Sequence, residues 1–388
     1  MKVAILGNIA GVANEIVVEL RKNGIEADLF LRHNERQVTV GDLQSPNELK
    51  SEWIKYLDYE LTEDKGGIFS AILNWVRKET YVIKTVYSLF SYDVIHSHTA
   101  SLCFSPLSYL LFIKLRLKKY LAFATGSDLR EEARFAAGLK GKVYRDFFRR
   151  SKQTLLLNAD MVKFKEELKL VHAEFFPFMI NEEKYKSDTS VEKPVDLKNK
   201  LVCFMMSNLD FGINDSGSYR NSMKNNDRFF YALAEFIRED KNIHAFVLDR
   251  GADSEIAKEL VSDLNLNDYV SFLPPQKECN RIKWLNIADV VIDQFNIGAF
   301  GLGALEALSM GKPLITYFGE DYLAHTYDDD IPILNAQTTE QIKQRLFEIR
   351  DPGIRQEISI RARQWILIHH ARDVVRIRLM EKYQLCSK

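Results

Sequence analysis

The sequence has few of the features that organise secreted, metal-binding or nucleic-acid-binding proteins. Its four cysteines lie far apart without a Cys-x-x-Cys pair, so the sequence predicts neither a disulfide framework nor a zinc site. Lysine plus arginine (53) and aspartate plus glutamate (54) leave a formal net charge of −1, which gives nucleic acid no electrostatic reason to bind. We therefore expect no metal, no nucleic-acid partner and a reducing, cytoplasmic environment.

Long apolar runs are also missing. Met1 and Lys2 are followed by a run of only four apolar residues before Gly7, which is short for a signal peptide. The apolar run at residues 110–113 ends at Lys114, and no stretch approaches the roughly 18 apolar residues that a membrane span needs. We expect neither a signal peptide nor a membrane-spanning helix.

Strand and helix patterns alternate along most of the chain. Residues 3–6 and 27–31 have the continuous apolar pattern of buried strands, and residues 15–23 between them have helical spacing, which predicts a βαβ unit. A second alternation begins at residues 201–205, after the charged and apolar-poor stretch 182–200, which is typical of a linker. A chain of 388 residues with 46% apolar residues can build two globular domains. We expect an α/β protein with two Rossmann-like domains facing a cleft.

Residues 289–316 are the most informative segment. A buried strand leads into a loop with Gly298, Gly301 and Gly303, and a short helix carrying Glu306 follows. The glycines allow close approach of a ligand to the backbone, and the free amides of the helix N-terminus suit an anion. Glu306 can accept two hydroxyl hydrogen bonds, as acidic residues do from a ribose in dinucleotide folds. The alternative is a glycine-rich turn followed by a solvated glutamate.

The motif Phe-Gly-x4-Glu-Ala at residues 300–307, followed by Met-Gly-Lys-Pro-Leu-Ile, resembles the nucleotide-sugar signature of the retaining glycosyltransferases of family 4, which have the glycosyltransferase-B fold. In that family the second glutamate of a Glu-x7-Glu motif binds the nucleotide ribose, and Glu306 matches it. The first glutamate, which contacts the donor sugar, falls on Gly298. The resemblance implies that other groups contact the donor instead: the backbone amides of Gly298, Ala299, Phe300 and Gly301, and the side chain of Gln294.

Two segments resemble motifs of the N-terminal domain of the same family. Residues 92–98 are similar to its Asp-Val-Ile-His-x-His strand end, and residues 125–130 to its His-Gly-Ser-Asp-Ile-Arg turn, with Thr125 in place of the histidine. The resemblance implies sugar or acceptor contacts for His98, Thr125 and Asp128. Asp128 is alternatively a helix N-cap, and the histidines are alternatively structural. We expect His96 and His98 to alternate across the strand end, with only one of them facing the cleft.

The loop after the first strand lacks the Gly-x-Gly-x-x-Gly spacing of a dinucleotide site, which argues against NAD or FAD. In the resembled family this loop approaches the donor phosphates or the acceptor, and Gly11 aligns with it. The alternative is a tight turn that serves packing alone.

The diphosphate of a nucleotide-sugar requires positive charge as well as backbone amides. The family supplies an arginine after the first strand of its C-terminal domain and a lysine before the next helix. Here Ser207 and Asn208 stand where the arginine is expected, whereas Lys224 matches the lysine. We expect Lys224 to be a phosphate ligand, with Arg220 or Arg228 as the second. The alternative is an exposed i, i+4 pair of Lys224 and Arg228 on a helix.

Two basic clusters indicate contact with an anionic membrane surface. Residues 140–152 contain six basic residues interleaved with aromatic ones, and four more basic residues lie between 114 and 119. The alternative is a solvated charged face on a helix whose aromatic residues are core.

The C-terminal residues Trp365 to His370 are similar to the family's Trp-Val-x-x-x-His segment, which implies a last helix that returns to the N-terminal domain. The predicted organisation is an N-terminal acceptor-side domain at 1–181, the linker at 182–200, a C-terminal nucleotide-sugar domain at 201–364 and the returning helix at 365–388.

The resemblance implies an enzyme that transfers a sugar from a nucleotide-sugar donor to a glycan or lipid-linked acceptor with retention, without metal or cofactor, in polysaccharide or glycoconjugate synthesis. We expect it in the cytoplasm, in peripheral contact with the inner face of the membrane. The motifs assign no catalytic base. Two alternatives stay open: a nucleotide-sugar epimerase of the same fold and a catalytically silent nucleotide-sugar-binding protein.

Overall fold

The computed structural model describes residues 1–32, 52–57, 68–211 and 223–387, with the backbone alone at 68–73. The chain divides into two compact units, each with its own parallel sheet. Unit 1 contains Met1–Met179 and Val375–Lys388, and unit 2 contains Ile180–Val374.

Unit 1 is built on a parallel sheet. Its strands are β1 (Lys2–Leu6), β2 (Glu26–Leu31), β3 (Ile54–Tyr56), β4 (Val94–His98), β5 (Tyr120–Ala124), β6 (Gln153–Leu156) and β7 (Ala173–Phe175). Among the described residues these seven strands lie in the order β3-β2-β1-β4-β5-β6-β7. The order reverses between β1 and β4, and ligands of open α/β sheets bind beyond the carboxyl ends of the strands at such a point.

Helices cover this sheet. They are α1 (Val12–Lys22), α2 (Ile68–Leu89), α3 (Pro106–Ser108), α4 (Gly138–Arg150) and, at the chain end, α12 (Arg372–Ser387). In α1 the buried residues Ile16, Val17 and Leu20 recur at helical spacing and pack toward the sheet. The Tyr383 side chain of α12 is fully buried in unit 1.

Unit 2 repeats this plan. Its strands are β8 (Leu201–Met205), β9 (Ile243–Leu248), β10 (Val270–Leu273), β11 (Val290–Ile292), β12 (Leu314–Thr316) and β13 (Leu334–Asn335). Its helices are α5 (Asp227–Phe236), α6 (Ser254–Asp263), α7 (Glu278–Ile287), α8 (Leu302–Ser309), α9 (Glu320–Leu323), α10 (Thr339–Glu348) and α11 (Pro352–His369). The sheet order β10-β9-β8-β11-β12-β13 reverses between β8 and β11, which directs attention to the carboxyl ends of those two strands.

The prediction of an α/β fold with two parallel, Rossmann-like sheets is confirmed. Apolar spacing predicts one helix over residues 102–118, and this prediction is wrong in detail, because Ser105 and Ser108 form a capping box that starts a new helix at Pro106. This helix continues as a π-helix, Tyr109–Lys114. No helix among the described residues is long and apolar enough to cross a membrane.

The stretch 182–200 lies within unit 2 and is fixed to it. The hydroxyl of Ser309 on α8 donates to the Tyr185 carbonyl (2.9 Å), and the amide of Asp188 donates to the side chain of Asn286 (2.8 Å). Tyr185 is buried although charged residues surround it in the sequence. A segment whose charged composition is typical of a linker therefore contains a buried residue, Tyr185, that anchors it to unit 2.

Candidate functional site

The buried side chain of Gln294 stabilises the loop between β11 and α8 by hydrogen bonds. Its side-chain oxygen accepts hydrogen bonds from the amides of Asn296 (2.9 Å) and Ile297 (2.6 Å), and its amide group donates to the Tyr317 carbonyl (2.6 Å). Gln294 is buried, and both ends of its side chain are used by these contacts. The structure gives Gln294 a loop-positioning role, and its contact with the donor sugar stays a prediction.

Two tyrosine rings occupy the space beside Gly298, where the resembled family has its first glutamate. Gly298 has φ +76°, in the left-handed region, and a Cβ atom there would lie 3.0 Å from the Tyr322 ring and 3.1 Å from the Tyr317 ring. Its carbonyl accepts a hydrogen bond from the Gly319 amide (3.1 Å). A glutamate at this position would be strained and crowded. The packing of this loop therefore favours a residue without a side chain.

Gly301 leaves the N-terminus of α8 open. It is the N-cap residue without a side-chain cap, and a Cβ atom built on it would meet no atom of the described chain within 4 Å. The side chains of Ala299 and Phe300 are buried, and Phe300 packs against Phe318 and Trp365 with ring centroids 4.9 Å and 5.9 Å apart. The loop and helix end thus present backbone amides and a partial positive charge, which suits an anionic group.

Glu306 is buried one turn into α8, with two partners. The Tyr185 hydroxyl donates to its Oε1 (2.8 Å), and the Arg281 guanidinium lies 3.6 Å from its Oε2. The same hydroxyl donates to Glu278, so one phenol is shared between two carboxylates. Burial raises the pKa of Glu306, while Arg281 and the bond from Tyr185 oppose the rise. Glu306 is therefore a preorganised acceptor, and its role in binding a ribose stays a prediction.

Lys224 lies beside the end of β11. Its amide donates to the Asp210 carbonyl (3.0 Å), and its carbonyl accepts from the Phe295 amide (2.7 Å), so two contacts fix its backbone. Within the described ranges, no hydrogen bond or ion pair engages its ammonium group. Burial raises the pKa of the Asp293 carboxyl, and the positive charges of Lys224 and then Arg250 oppose this rise. Two cations therefore face the carboxyl end of β11.

Arg250 is a cation that the sequence motifs do not identify. It follows β9 closely, and its guanidinium donates to the Met206 carbonyl (2.5 Å) at the end of β8. The Leu209 amide donates to the Arg250 carbonyl (2.8 Å), so the loops after β8 and β9 are joined. Arg250 therefore stands next to Ser207, where the resembled family carries its phosphate-binding arginine. In the sequence, Arg250 is marked only by its place in the motif Asp-Arg-Gly directly after β9.

Arg228 is used inside the fold. Its guanidinium donates to the carbonyls of Phe295 (3.2 Å) and Gln337 (2.7 Å), which fixes the loop after β11 to the segment after β13. A role as second phosphate ligand would compete with both bonds and stays a prediction. Arg220, the other candidate, lies outside the described residues.

In unit 1, His96 and His98 stack on the same face of β4, with ring centroids 4.7 Å apart and an angle of 16° between the planes. The expectation that they alternate is wrong, because residues i and i+2 of a strand share a face. The Tyr383 hydroxyl lies 2.7 Å from Nδ1 of His96, whereas neither ring nitrogen of His98 has a partner in the described chain. Burial lowers the pKa of His98 to about 3 and that of His96 well below its usual value, so both rings are neutral at physiological pH.

Asp128 organises the turn after β5. Its carboxylate accepts hydrogen bonds from the amides of Thr125 (3.1 Å), Gly126 (2.8 Å) and Leu129 (2.9 Å). The helical segment begins at Asp128 itself, with Ser127 as its N-cap residue, so Asp128 closes the turn and is not the N-cap. Burial raises the pKa of Asp128, and these amide bonds oppose the rise.

The predicted residues of unit 1 come together at one edge of its sheet. Gly11 is the N-cap of α1 after β1, has φ +79°, and has open space where a Cβ would lie. His98 ends β4 and Thr125 follows β5, and these three strands are neighbours in the sheet. Gly11, His98 and Thr125 therefore share the carboxyl edge at which α/β folds bind ligands.

Comparison with known proteins agrees with this geometry. Residues 218–330 match the family model of glycosyl transferases group 1. No curated protein sequence gives a significant match.

Several solved structures share the fold over nearly the whole chain. A glycosyltransferase from Rickettsia africae has 15% identity and a TM-score of 0.65, and the match covers 100% of this chain and 99% of that one. HepE from Anabaena, solved with UDP and glucose, has 14% identity and a TM-score of 0.67 over 99% of each chain. A UDP-GlcNAc 2-epimerase from Neisseria meningitidis, bound to UDP-GlcNAc, has 13% identity and a TM-score of 0.54 over 92% of this chain and 94% of that one. These likenesses confirm the glycosyltransferase-B fold, and the match to the group 1 family model includes the signature segment at residues 289–316.

Proposed function

We propose that this protein transfers a sugar from a nucleotide-sugar donor to a glycan or lipid-linked acceptor, with retention of configuration and without a metal ion. The observation that carries the proposal is the arrangement at the carboxyl edge of the unit 2 sheet. A buried carboxylate, an open helix N-terminus and two cations come together there. Each matches one part of a nucleoside diphosphate: a ribose for Glu306, and phosphates for Gly301, Lys224 and Arg250.

The chemistry proposed for this site is electrostatic. Departure of the nucleoside diphosphate leaves negative charge on its distal phosphate while the sugar gains oxocarbenium character. The ammonium of Lys224 and the amides at Gly301 are positioned to stabilise that leaving group, since neither is engaged by a described side chain. Such fixed charges act strongly where the surrounding protein excludes water.

Recognition of the donor sugar differs from the family pattern in this proposal. With Gly298 in place of the first glutamate, the rings of Tyr317 and Tyr322 border the loop. Aromatic rings pack against the apolar faces of sugars and hold them in orientation. The amides of Gly298, Ala299, Phe300 and Gly301 remain the polar contacts that we expect for the donor.

Unit 1 supplies the acceptor side in this proposal, through Gly11, His98, Thr125 and Asp128. Because the pKa of His98 is lowered to about 3, its ring is neutral and acts as a hydrogen-bonding group. The proposed setting is polysaccharide or glycoconjugate synthesis in the cytoplasm, with peripheral contact at the inner face of the membrane through the basic residues of 140–152.

One observation favours a second candidate function. A nucleotide-sugar epimerase is among the structurally similar proteins, and the donor-contacting glutamate is missing at Gly298. An epimerase changes the sugar without an acceptor, whereas a transferase releases nucleoside diphosphate only when an acceptor is present or water replaces it.

The test is a panel of UDP- and GDP-sugars incubated with the protein, with and without membrane-extracted acceptors. Both free nucleoside diphosphate and the identity of the remaining sugar are measured. Release that depends on the acceptor and is lost in Lys224→Ala supports the transferase. Lys241→Ala, which removes an exposed lysine of the same unit, is the matched control. A changed sugar with no release supports the epimerase, and binding without either product supports a silent protein.

A further inference from the structure

Unit 1 has a cavity at the amino edge of its sheet, and its lining includes Arg149, Arg150 and Lys152 of the basic segment 140–152. Its volume is about 730 Å³, which falls within the usual range for ligand pockets. The walls come from the segments that enter β5, β6 and β7, together with α4 and the end of α12. Gly11, His98 and Thr125 lie at the opposite edge, about 15 Å away along strands of this length.

The cavity joins the two basic clusters that are separate in the sequence. The first contributes the residues that precede β5, and the second contributes the end of α4 and the residue before β6. The six basic lining residues are Arg116, Lys118, Lys119, Arg149, Arg150 and Lys152. The other basic residues of α4 face elsewhere: Lys140 pairs with Glu132 (2.7 Å), and Arg145 donates to the Ala133 carbonyl (3.0 Å).

Most of this charge has no counter-charge in the protein. Arg150 lies 3.8 Å from Asp146, and Glu174, the one carboxylate in the lining, is held by Lys382 (2.5 Å). The remaining five cations form no ion pair with any described carboxylate. Arg149 and Lys118 donate only to backbone carbonyls, those of Leu168 (2.8 Å) and Phe90 (2.9 Å).

Three of the lysines act electrostatically on the Cys386 thiol. Burial raises the pKa of the Cys386 thiol to about 11, and the charges of Lys119, Lys152 and Lys118 oppose that rise. Burial also lowers the pKa of Lys118. Like charges in one concave site repel one another, and an anion bound among them would relieve this repulsion.

Exposed aliphatic residues stand around the cations. Leu115 and Leu117 flank Arg116 and are 55% and 56% exposed, and Val171 and Leu385, in the lining, are 84% and 53% exposed. Arg116 itself has φ +52°, an uncommon conformation for a residue with a side chain. The strained loop holds a basic side chain between two exposed leucines, which is a suitable arrangement for an anion that carries an apolar chain.

We propose that this cavity binds a phosphate group with more than one negative charge, a phosphomonoester or a diphosphate. Five uncompensated cations match a dianion better than the single charge of a phosphodiester. The group can come from a lipid headgroup or from a soluble phosphate, and the chemistry of recognition is the same for both. The proposal does not depend on the transferase activity, because the site lies at the other edge of the sheet.

The test measures binding to two probes. Pyrophosphate is titrated calorimetrically into the Lys224→Ala protein, in which the unit 2 site is weakened. Vesicles containing phosphatidic acid, phosphatidylglycerol or phosphatidylcholine alone are used for co-sedimentation at low and high salt. The cavity variant is Lys119→Glu with Lys152→Glu, and the matched control is Lys22→Glu with Lys84→Glu, which changes the same charge at exposed lysines of unit 1 outside the cavity and outside both basic clusters.

We expect the cavity variant to bind at least tenfold more weakly than the parent to one of the probes, and the control to stay within about twofold. The phosphatidic acid vesicles should bind more tightly than those with phosphatidylglycerol if the source is lipid, and Leu115→Ala with Leu117→Ala should then weaken binding too. If pyrophosphate binds and the two leucine substitutions do not change its affinity, the natural ligand is a soluble phosphate.

Three outcomes overturn the proposal. They are no binding of either probe by the parent, equal losses in the cavity variant and the control, and no preference for the doubly charged phosphate. Lys119→Gln with Lys152→Gln repeats the comparison without charge reversal, and thermal unfolding of each variant establishes that it is folded.

Discussion

Substituting alanine for Gly298 tests whether the loop that replaces the family's first glutamate is built as described. The left-handed conformation at φ +76° costs an alanine about 1–2 kcal/mol. Its Cβ would also press against Tyr322 and Tyr317 at 3.0 Å and 3.1 Å, and overpacking of this kind costs about 1–3 kcal/mol. The sum predicts a loss of roughly 2–5 kcal/mol in the free energy of unfolding.

Gly301→Ala is the matched control, because that position has ordinary backbone angles (φ −82°, ψ 169°) and no described atom within 4 Å of the new Cβ. Because Gly301 is the N-cap of α8 and alanine is less favourable than glycine there, we expect a loss of less than about 1 kcal/mol. Urea unfolding followed by circular dichroism measures both variants. Equal stability of Gly298→Ala and Gly301→Ala would refute the argument from backbone strain and tyrosine packing.

Three further predictions follow from the polar contacts. Lys224→Ala should weaken nucleoside diphosphate binding at least tenfold while nucleoside binding stays unchanged, in calorimetric titrations; an equal loss for both ligands would assign the lysine a structural role. Tyr185→Phe removes the donor shared by Glu278 and Glu306 and should destabilise the protein by about 1–3 kcal/mol in urea unfolding, and an unchanged midpoint would contradict the shared bond. The folded pKa of His98 is about 3 against an ordinary 6.5, so the unfolded chain binds more protons between these values and stability should fall as pH drops below 6.5. At pH 4.5 the loss from His98 alone is about 3 kcal/mol, and His98→Phe should show a shallower pH dependence of stability.

Much of the fold is readable from the sequence because buried parallel strands have continuous apolar runs. The second alternation is predicted to begin at residues 201–205, which are the bounds of β8, and the strand predicted at residues 27–31 lies within β2. Helix breaks are less readable, since the turn at Ser105 depends on a capping box whose partners are three residues apart. Apolar spacing continues across such a break, so periodicity alone predicts one helix.

The candidate site can be predicted only in part, because the sequence shows local motifs and not contacts between distant segments. Glu306 and Lys224 are visible because they stand in short local motifs. Tyr185 and Arg281 are not, since they reach Glu306 from segments distant in sequence, and Arg250 reaches the end of β8 only because β8 and β9 are paired. Contacts between distant segments leave no local pattern, and these residues become evident only in three dimensions.

The most direct test of the central claim is the affinity of nucleoside diphosphate for Glu306→Ala. Removal of a charged acceptor for two ribose hydroxyls forfeits about 1.5–3 kcal/mol, so the dissociation constant should rise at least tenfold in calorimetry. The neighbouring variant Glu278→Ala keeps the Glu306 carboxylate and serves as the control for disturbance of the Tyr185 contact. A Glu306→Ala protein that is folded and binds the nucleoside diphosphate as tightly as the parent would contradict the assignment of this site to a nucleotide-sugar.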